Sequence, residues 1–376
     1  MSADVPPTPI TDHRLPITLS FLARCYELAR RGEGAVEPNP MVGAIVVQDG
    51  LVVGEGWHRK FGGPHAEVHA LAHAGEAARG GTLYVSLEPC CHHGKTPPCT
   101  EAILAAGITR VVCGMRDPFP AVDGGGIAQL RAAGITCDVA DDPAARELMA
   151  PYLKLLTTKR PWVIAKWAMS RDGRMANPPG ESPWITGAVA RAHAHVQRGK
   201  LDAIIIGAGT LASDDPLLTA RPPGVRTPLR VVVASNRELP TDRRLFQTIA
   251  DAPVLVAAPQ EFPADCRSRL SALGAEFFTT SATARTAVLP ELLTELGRRR
   301  MTNVLIEGGP RLLGDAFAQS LVDEVQVYIS PRVIGGVAAR APVTDLAQLQ
   351  LQSVADEQLA DDHFVRGRLP NSQLPR

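Results

Sequence analysis

Three residues could hold a metal and leave one coordination position free: His65, Cys90 and Cys99. The first lies in Gly63-Pro64-His65-Ala66-Glu67-Val68-His69. The other two lie in Leu87-Glu88-Pro89-Cys90-Cys91-His92-His93-Gly94-Lys95-Thr96-Pro97-Pro98-Cys99. One imidazole and two thiolates form a zinc donor set, and three protein ligands leave the fourth tetrahedral corner for water. Zinc lowers the pKa of that water from ~15.7 to roughly 7, so a hydroxide nucleophile exists at neutral pH. Glu67 follows His65 by two residues and is not needed as a ligand. It can take a proton from the water and pass it to a leaving amine. Cys91 competes with Cys90, but choosing it would leave Pro89 outside the Pro-Cys position. A closed structural site with His92 or His93 as fourth ligand is the rival arrangement, and it would leave Glu67 without a task.

His-x-Glu followed by Pro-Cys is similar to the layout of zinc nucleobase deaminases, in which the second cysteine follows after two residues. Here eight residues separate Cys90 from Cys99. The elements around these residues must hold them rigidly. Apolar spacing after Ser20 predicts a helix over 20–31 with Ser20 as its cap. A β-branched run at 42–47, the turn pair Asp49-Gly50 and a second run at 51–56 predict a hairpin. Asn39 stands just before it, where it can face a pocket or simply make the turn. A helix is expected over 67–78, a strand over 82–87 and a helix over 100–106, so the ligands fall at strand-to-helix junctions. A strand at 110–114, a helix at 126–133, a strand at 135–139 and a helix at 144–157 complete this half. Lys159-Arg160-Pro161 marks a domain joint.

The second half alternates strands with helices. Strands are expected at 162–168, 203–206, 229–233, 254–257, 304–306 and 324–329, with a helix at 188–198. Such alternation means a largely parallel sheet covered on both faces. Gly207-Ala208-Gly209-Thr210-Leu211-Ala212 fits a Gly-x-Gly-x-x-Ala turn after a strand. The standard dinucleotide fingerprint also wants a helix next and an acid about 20 residues on. Instead, Ser213-Asp214-Asp215-Pro216 is expected to interrupt any helix, and the next strand runs into Ala234-Ser235-Asn236-Arg237. A hydroxyl and a guanidinium there suit a 2′-phosphate, which favours NADPH over NADH. Gly308-Gly309 makes a second turn whose free N–H groups could meet an anion. Each turn alone could be only a tight connection; two in one sheet point to a bound dinucleotide.

Composition narrows the class. The chain has 376 residues, enough for two domains, with 39 basic and 39 acidic side chains. A neutral balance argues against nucleic acid as partner, and no apolar run approaches a membrane span of ~18 residues. Residues 1–16 are rich in Pro and Thr and lack an apolar signal core, so they are expected to form a loose tail. There are seven cysteines. Cys25, Cys113, Cys137 and Cys266 are scattered and suit a reducing cytoplasm.

The motif from His65 to Leu71 together with Glu88 to Cys99 closely resembles the bifunctional deaminase–reductase family of riboflavin biosynthesis. Cys91 stands where that family usually has Ser. The segments 166–174, 180–186, 209–210, 214–221 and 307–309 look like the reductase half of the same family. The match covers about 19–369, with both halves in the family's order. The resemblance implies an α/β fold: a cytidine-deaminase-like three-layer domain over 18–158, then a dihydrofolate-reductase-like domain over 159–369. Tails at 1–17 and 370–376 flank them. It implies one Zn2+ per chain on His65, Cys90 and Cys99, with Glu67 as proton shuttle. It also implies hydrolytic deamination of 2,5-diamino-6-ribosylamino-4(3H)-pyrimidinone 5′-phosphate, then NADPH-dependent reduction of the ribosyl chain to ribityl.

Carried over residue by residue, Asn39, His58, His92 and Lys95 match substrate positions in the first half. In the second, Ala168, Trp184, Thr210, Asp214, Ser235 and the run Gly309, Pro310, Arg311, Leu312, Leu313, Gly314, Asp315 match cofactor positions. Ser182, Arg198, Leu218, Arg221 and Glu307 match substrate positions. Arg198 and Arg221 suit phosphate as guanidinium forks, although either could be a surface charge. Lys166, Asp214 and Glu307 are all available as the reductase proton donor. The expected partner is a small pyrimidine ribotide, with no nucleic acid and no membrane, in a homo-oligomer whose order the sequence does not specify. Two other readings compete: a reductase with a zinc-stabilised binding module, and a nucleic-acid base deaminase with an appended domain.

Overall fold

The computed structural model describes residues 15–178, 180–182, 184–281, 285–336, 339–370 and 372. Most of both expected tails lies outside these residues. The chain divides into two units between Leu156 and Thr157.

The first unit is built on a hairpin, β1 (Gly43–Gln48) and β2 (Leu51–Trp57). Asp49 and Gly50 both take positive φ, 52° and 78°, the backbone a two-residue turn needs to match strand twist. The sheet continues through β3 (Thr82–Val85), β4 (Arg110–Cys113) and β5 (Thr136–Val139) in the order β2-β1-β3-β4-β5. β1 is antiparallel to both its neighbours, and β3, β4 and β5 are parallel. Alternate residues of β1 enter different cores. Ala44 and Val46 pack with α2 (Ala66–Ala74), α3 (Cys99–Ala105) and α4 (Gly125–Ala132). Ile45 and Val47 pack with α1 (Leu15–Arg30), α5 (Pro143–Leu148) and α6 (Ala150–Thr158). That period-two split makes three layers.

Two glycines let α2 lie directly on β2. A Cβ on Gly56 would come within 2.4 Å of Ala66 O and Ala70 N, and one on Gly54 within 2.3 Å of Ala70 O. Two expectations need correction. α1 begins at Leu15, so Ser20 is interior rather than a cap, and residues 15–17 form the first turn instead of tail. Pro16 is tolerated there because the N–H groups of a first turn have no helical partner. The helix expected over 144–157 is two helices. Asp142 caps the first by accepting the Ala144 N–H at 2.9 Å. Pro151 has no N–H to continue its ladder, so the chain restarts at Ala150.

The second unit is a nine-stranded sheet. Its strands are β6 (Trp162–Ser170), β7 (Ala203–Gly207), β8 (Leu229–Val233), β9 (Val254–Pro259) and β10 (Glu276–Thr280). They continue with β11 (Asn303–Glu307), β12 (Glu324–Ser330), β13 (Gln352–Leu359) and β14 (Asp362–Arg368). The order is β10-β9-β8-β7-β11-β6-β12-β14-β13. All pairs are parallel until β14, which is antiparallel to β12 and to β13. The helices are α7 (Ala188–Arg198), α8 (Ala208–Asp214), α9 (Arg244–Gln247), α10 (Ala264–Ala272), α11 (Arg285–Arg298) and α12 (Pro310–Ala318). α8 is a further correction: a helix does follow the first glycine turn, and it contains Ser213 and Asp214 before Asp215 turns left-handed at φ 41°.

Candidate active sites

His65 is the N-cap residue of α2, held extended at φ −77° and ψ 169°, and Glu67 lies in the first turn. Cys90 follows β3, and Cys99 is the first residue of α3. His65 Nδ1 lies 3.5 Å from Cys90 Sγ and 3.3 Å from Cys99 Sγ. The three ligand atoms all lie within 4.8 Å of one another. A tetrahedral zinc with Zn–S ~2.3 Å and Zn–N ~2.05 Å would set nitrogen and sulfur roughly 3.6 Å apart. The Cys99 backbone N–H also points at Cys90 Sγ, at 3.3 Å.

The electrostatics suit a cation. The Cys90 thiol is drawn down to about 4, first by its hydrogen bond with Cys99 and also by His65. The same Cys90 hydrogen bond pushes Cys99 far above the thiol range, so the pair shares one proton. A dication between the sulfurs would release that proton. Glu67 is 3 % exposed, and burial raises its carboxyl. Its Oε2 has no hydrogen-bond partner, an orphan that a polar group in a metal site would satisfy. These residues fit zinc. Cys91 turns its Sγ to Ala121 O at 3.7 Å, and His93 pairs with Glu101 at 3.2 Å. Among the described residues, the metal-ligand cluster is His65, Cys90 and Cys99.

Sequence reasoning missed Glu88 as a support. Its buried carboxylate accepts the N–H groups of Asp117 at 3.2 Å, Gly124 at 3.0 Å and Ile127 at 3.1 Å. A Cβ on Gly126 would lie 2.0 Å from Pro89 O, so α4 closes on the ligand loop. A buried acid beside a Pro-Cys pair was the available signal. Of the expected substrate residues, His58 is buried with its ring 5.3 Å from that of His65. Burial draws it down to about 4, which keeps it neutral at pH 7, and its Nε2 has no partner. His92 Nδ1 is likewise buried without a partner, and its ring is tilted at 43° to that of Phe119, with centroids 5.9 Å apart. Lys95 Nζ lies 3.9 Å from the centre of the Phe61 ring. Asn39 is half-buried in the turn before β1.

In the second unit the expected residues gather at the C-terminal ends of adjacent parallel strands, where open α/β sheets bind ligands. β8, β7, β11 and β6 are consecutive in the sheet. They lead to Ser235, to Gly207–Thr210, to Glu307–Gly309 and to Ala168 respectively. The two glycine turns are stitched together: Thr210 Oγ1 accepts the Gly309 N–H at 2.9 Å. Gly309 is the N-cap of α12, whose first turns supply Pro310, Arg311, Leu312, Leu313, Gly314 and Asp315. Asp214 ends α8 and accepts the Ser213 hydroxyl at 2.6 Å. Ser182 Oγ accepts the Trp184 N–H at 3.2 Å, and the exposed Trp184 ring carries the Arg191 guanidinium 5.0 Å from its centre.

Beside the turns lies an ion triad. Glu307 accepts Lys166 Nζ at 3.0 Å and the Arg198 fork at 2.8 and 2.7 Å. Burial alone would raise the Glu307 carboxyl, but Arg198 and Lys166 outweigh it and hold it well below the carboxylate range. This revises the expectation for Arg198. Its Nε and Nη2 grip Glu307, so it does not offer an open fork. Arg221 is the more available cation: Nη1 donates to Thr219 Oγ1 at 2.9 Å, and Nη2 lies 3.2 Å from His195 Nε2. Leu218 is buried at φ 55°. Sequence reasoning also missed Tyr328, whose ring lies 5.3 Å from Lys166 Nζ and whose hydroxyl meets His193 Nδ1 at 3.0 Å.

Residues 17–115 match the cytidine and deoxycytidylate deaminase zinc-binding region, and residues 161–365 match the RibD C-terminal domain. A riboflavin biosynthesis protein RibD from Actinobacillus pleuropneumoniae is 37 % identical over 90 % of this chain and 90 % of its own. The chain belongs to the RibD family. The RibD of Escherichia coli K12 is 38 % identical over 85 % of this chain and 89 % of its own. Among solved structures, Acinetobacter baumannii RibD is 35 % identical with a TM-score of 0.80, covering 94 % of this chain and 99 % of that one. A Thermotoga maritima diaminohydroxyphosphoribosylaminopyrimidine deaminase/5-amino-6-(5-phosphoribosylamino)uracil reductase is 33 % identical with a TM-score of 0.78. It covers 95 % of this chain and 100 % of that one. The chain is therefore a bifunctional enzyme of riboflavin biosynthesis, with a deaminase half and a reductase half that use zinc and NADPH. No helix among the described residues is long and apolar enough to cross a membrane.

Proposed function

We propose that this enzyme deaminates 2,5-diamino-6-ribosylamino-4(3H)-pyrimidinone 5′-phosphate at the ring 2-amino group and then reduces the ribosyl chain to ribityl. The deaminase is assigned to 18–158 and the reductase to 159–369. The observation that carries the reading is the buried, unpartnered Glu67 oxygen beside a His-Cys-Cys donor set. His65, Cys90 and Cys99 would hold zinc, which supplies an activated water at neutral pH. Glu67, its carboxyl raised by burial, takes a proton and returns it to the departing amine. His58 is neutral and buried, and one ring nitrogen donates to the Pro64 backbone carbonyl, which leaves the unpartnered Nε2 as an acceptor for a pyrimidine edge. Asn39, His92 and Lys95 would complete the grip, with Lys95 suited to the ribose phosphate.

In the reductase, NADPH supplies the hydride when bound. Gly309 to Asp315, Thr210, Asp214, Ser235, Ala168 and Trp184 would receive it. Ser182, Leu218, Arg221, Arg198 and Glu307 would receive the substrate. Lys166 is taken as the proton donor to the ring oxygen, with its ammonium paired to the Glu307 carboxylate at 3.0 Å. Asp214 and Glu307 compete for that role, but Glu307 is held ionised by Arg198 and Lys166. A homo-oligomer in the cytoplasm completes the proposal.

The test is incubation of the zinc-loaded protein with the diaminopyrimidine ribotide, with and without NADPH, followed by mass. Loss of ammonia without NADPH, then a gain of two hydrogens only with NADPH, is expected. No deamination would sink the assignment of the first half. A finer expectation concerns Thr210→Val, which removes the acceptor that holds Gly309 N–H. It should raise the KM for NADPH by about tenfold, the loss of one hydrogen bond at roughly 1.4 kcal/mol. Deamination by the same molecule should be unchanged.

A further inference from the structure

The loop after α8 runs over residues 215–221 and carries Leu218 and Arg221. Asp215 and Leu218 both hold left-handed φ, 41° and 55°, without being glycine. Such backbone persists only where its surroundings over-determine it. Two arginines hold this loop. Arg244, the first residue of α9, gives its backbone N–H to Asp215 Oδ1 at 2.8 Å. Its Nε meets Asp215 O at 3.0 Å and Oδ2 at 3.1 Å.

The second anchor comes from inside the sheet. Arg230 on β8 has no exposed surface. Nη1 donates to Leu217 O at 3.1 Å and to Thr248 Oγ1 at 2.8 Å. Nη2 donates to Thr248 O at 2.8 Å and to Ala252 O. The Thr248 hydroxyl in turn donates to Arg244 O at 2.8 Å, which ties the two anchors together. Among the described residues no carboxylate hydrogen-bonds Arg230, and Asp251 acts on it only through space. Burial draws its pKa down to about 10, so it stays charged at neutral pH. Its neighbours on β8 are Leu229, Val231 and Val232, all buried. A buried ion is a poor filler of volume compared with an apolar residue, so its use here requires another reason. A guanidinium can span several acceptors in fixed geometry, and here they lie on two chain segments, Leu217 before β8 and Thr248 with Ala252 after it.

We propose that Arg230 is a positioning residue for the reductase substrate: it fixes the Leu217 carbonyl and thereby the placement of Leu218 and Arg221. This inference rests on the assignment of Leu218 and Arg221 to substrate made above. Lysine keeps the charge but cannot span the acceptors, so Arg230→Lys should free the loop while preserving the fold.

The experiment uses the full chain with zinc and NADPH, comparing wild type, Arg230→Lys and Arg221→Ala. Amide hydrogen exchange over 214–222 should rise in R230K, with the rest of the second unit unchanged. The KM for the deaminated ribotide should rise about tenfold in R230K, with the NADPH KM and kcat held within about twofold. Deamination by the same molecules reports whether they are intact and should be unchanged. If R230K does not fold, Thr248→Val removes one Nη1 acceptor and should give the same pattern at smaller size. R221A should raise the same substrate KM without loosening the loop. Unchanged exchange in R230K, or loosened exchange with an unchanged KM, beside a raised KM in R221A would overturn the positioning role alone. An unchanged substrate KM in R221A would sink the assignment of this loop to substrate, and the positioning role with it.

Discussion

Glu67→Gln should leave zinc in place and end deamination. Glutamine keeps the length of the side chain and its first-turn position on α2, so the ligand atoms of His65, Cys90 and Cys99 keep their spacing. What it lacks is a carboxylate to accept a proton. General acid–base transfer contributes about 10²–10⁴-fold, so kcat for ammonia release should fall by about that factor. Metal analysis should still find one zinc per chain, and reduction of pre-deaminated substrate by NADPH should proceed at the wild-type rate. Retained deamination would remove Glu67 from the mechanism. Loss of zinc together with activity would assign it a ligand's role instead.

Glu307→Ala should have the largest effect in the second unit. It leaves Lys166 and Arg198 buried around a missing carboxylate. Breaking a buried ion pair by removing one partner costs about 3–5 kcal/mol, because the remaining charge is uncompensated. Calorimetry should find the transition of the second unit shifted down, and reduction should be lost while deamination persists. The pH dependence has a definite sign. The folded Glu307 carboxyl is held well below its ordinary value of 4.5 by Arg198 and Lys166. Its contribution is complete above pH 4.5 and is lost as pH falls below that value toward the folded pKa. Wild-type stability should therefore decline on acidification below 4.5, and Glu307→Gln should flatten that decline. An unchanged slope in E307Q would show that other carboxylates govern acid sensitivity.

Local chemistry made much of the first unit legible. Asp49-Gly50 between two β-branched runs gives the hairpin, and His65, Glu67, Cys90 and Cys99 identify the metal chemistry before any fold is known. What remained hidden depends on partners distant in sequence. Arg198 read as an open phosphate clamp because Glu307, which grips it, lies 109 residues away. β13 escaped notice because seven of its eight residues are exposed, which erases the alternation that marks a half-buried strand. Within residues 237–300 only the strand at 254–257 was legible, yet they also contain α9, α10, β10 and all of α11. α10 offers few buried residues, Cys266 and Leu270, so its helical period is faint. α8 was masked by Asp214-Asp215-Pro216, which proved to be its terminus rather than its interruption.

The eight residues between Cys90 and Cys99 bear on how such an enzyme can change. The ligand pair is fixed from outside that segment: Glu88 braces the entry, and the start of α3 supplies Cys99 with an N–H aimed back at Cys90. Chain entropy penalises the extension from two intervening residues to eight by only about 1.2 kcal/mol, two doublings at ~0.6 each. The segment is therefore a cassette, free to lengthen or be rewritten without disturbing the metal chemistry. It carries His92 and Lys95, two of the residues proposed above to grip the substrate. An ancestral deaminase could acquire a new substrate here by insertion alone, keeping its reaction while changing its diet.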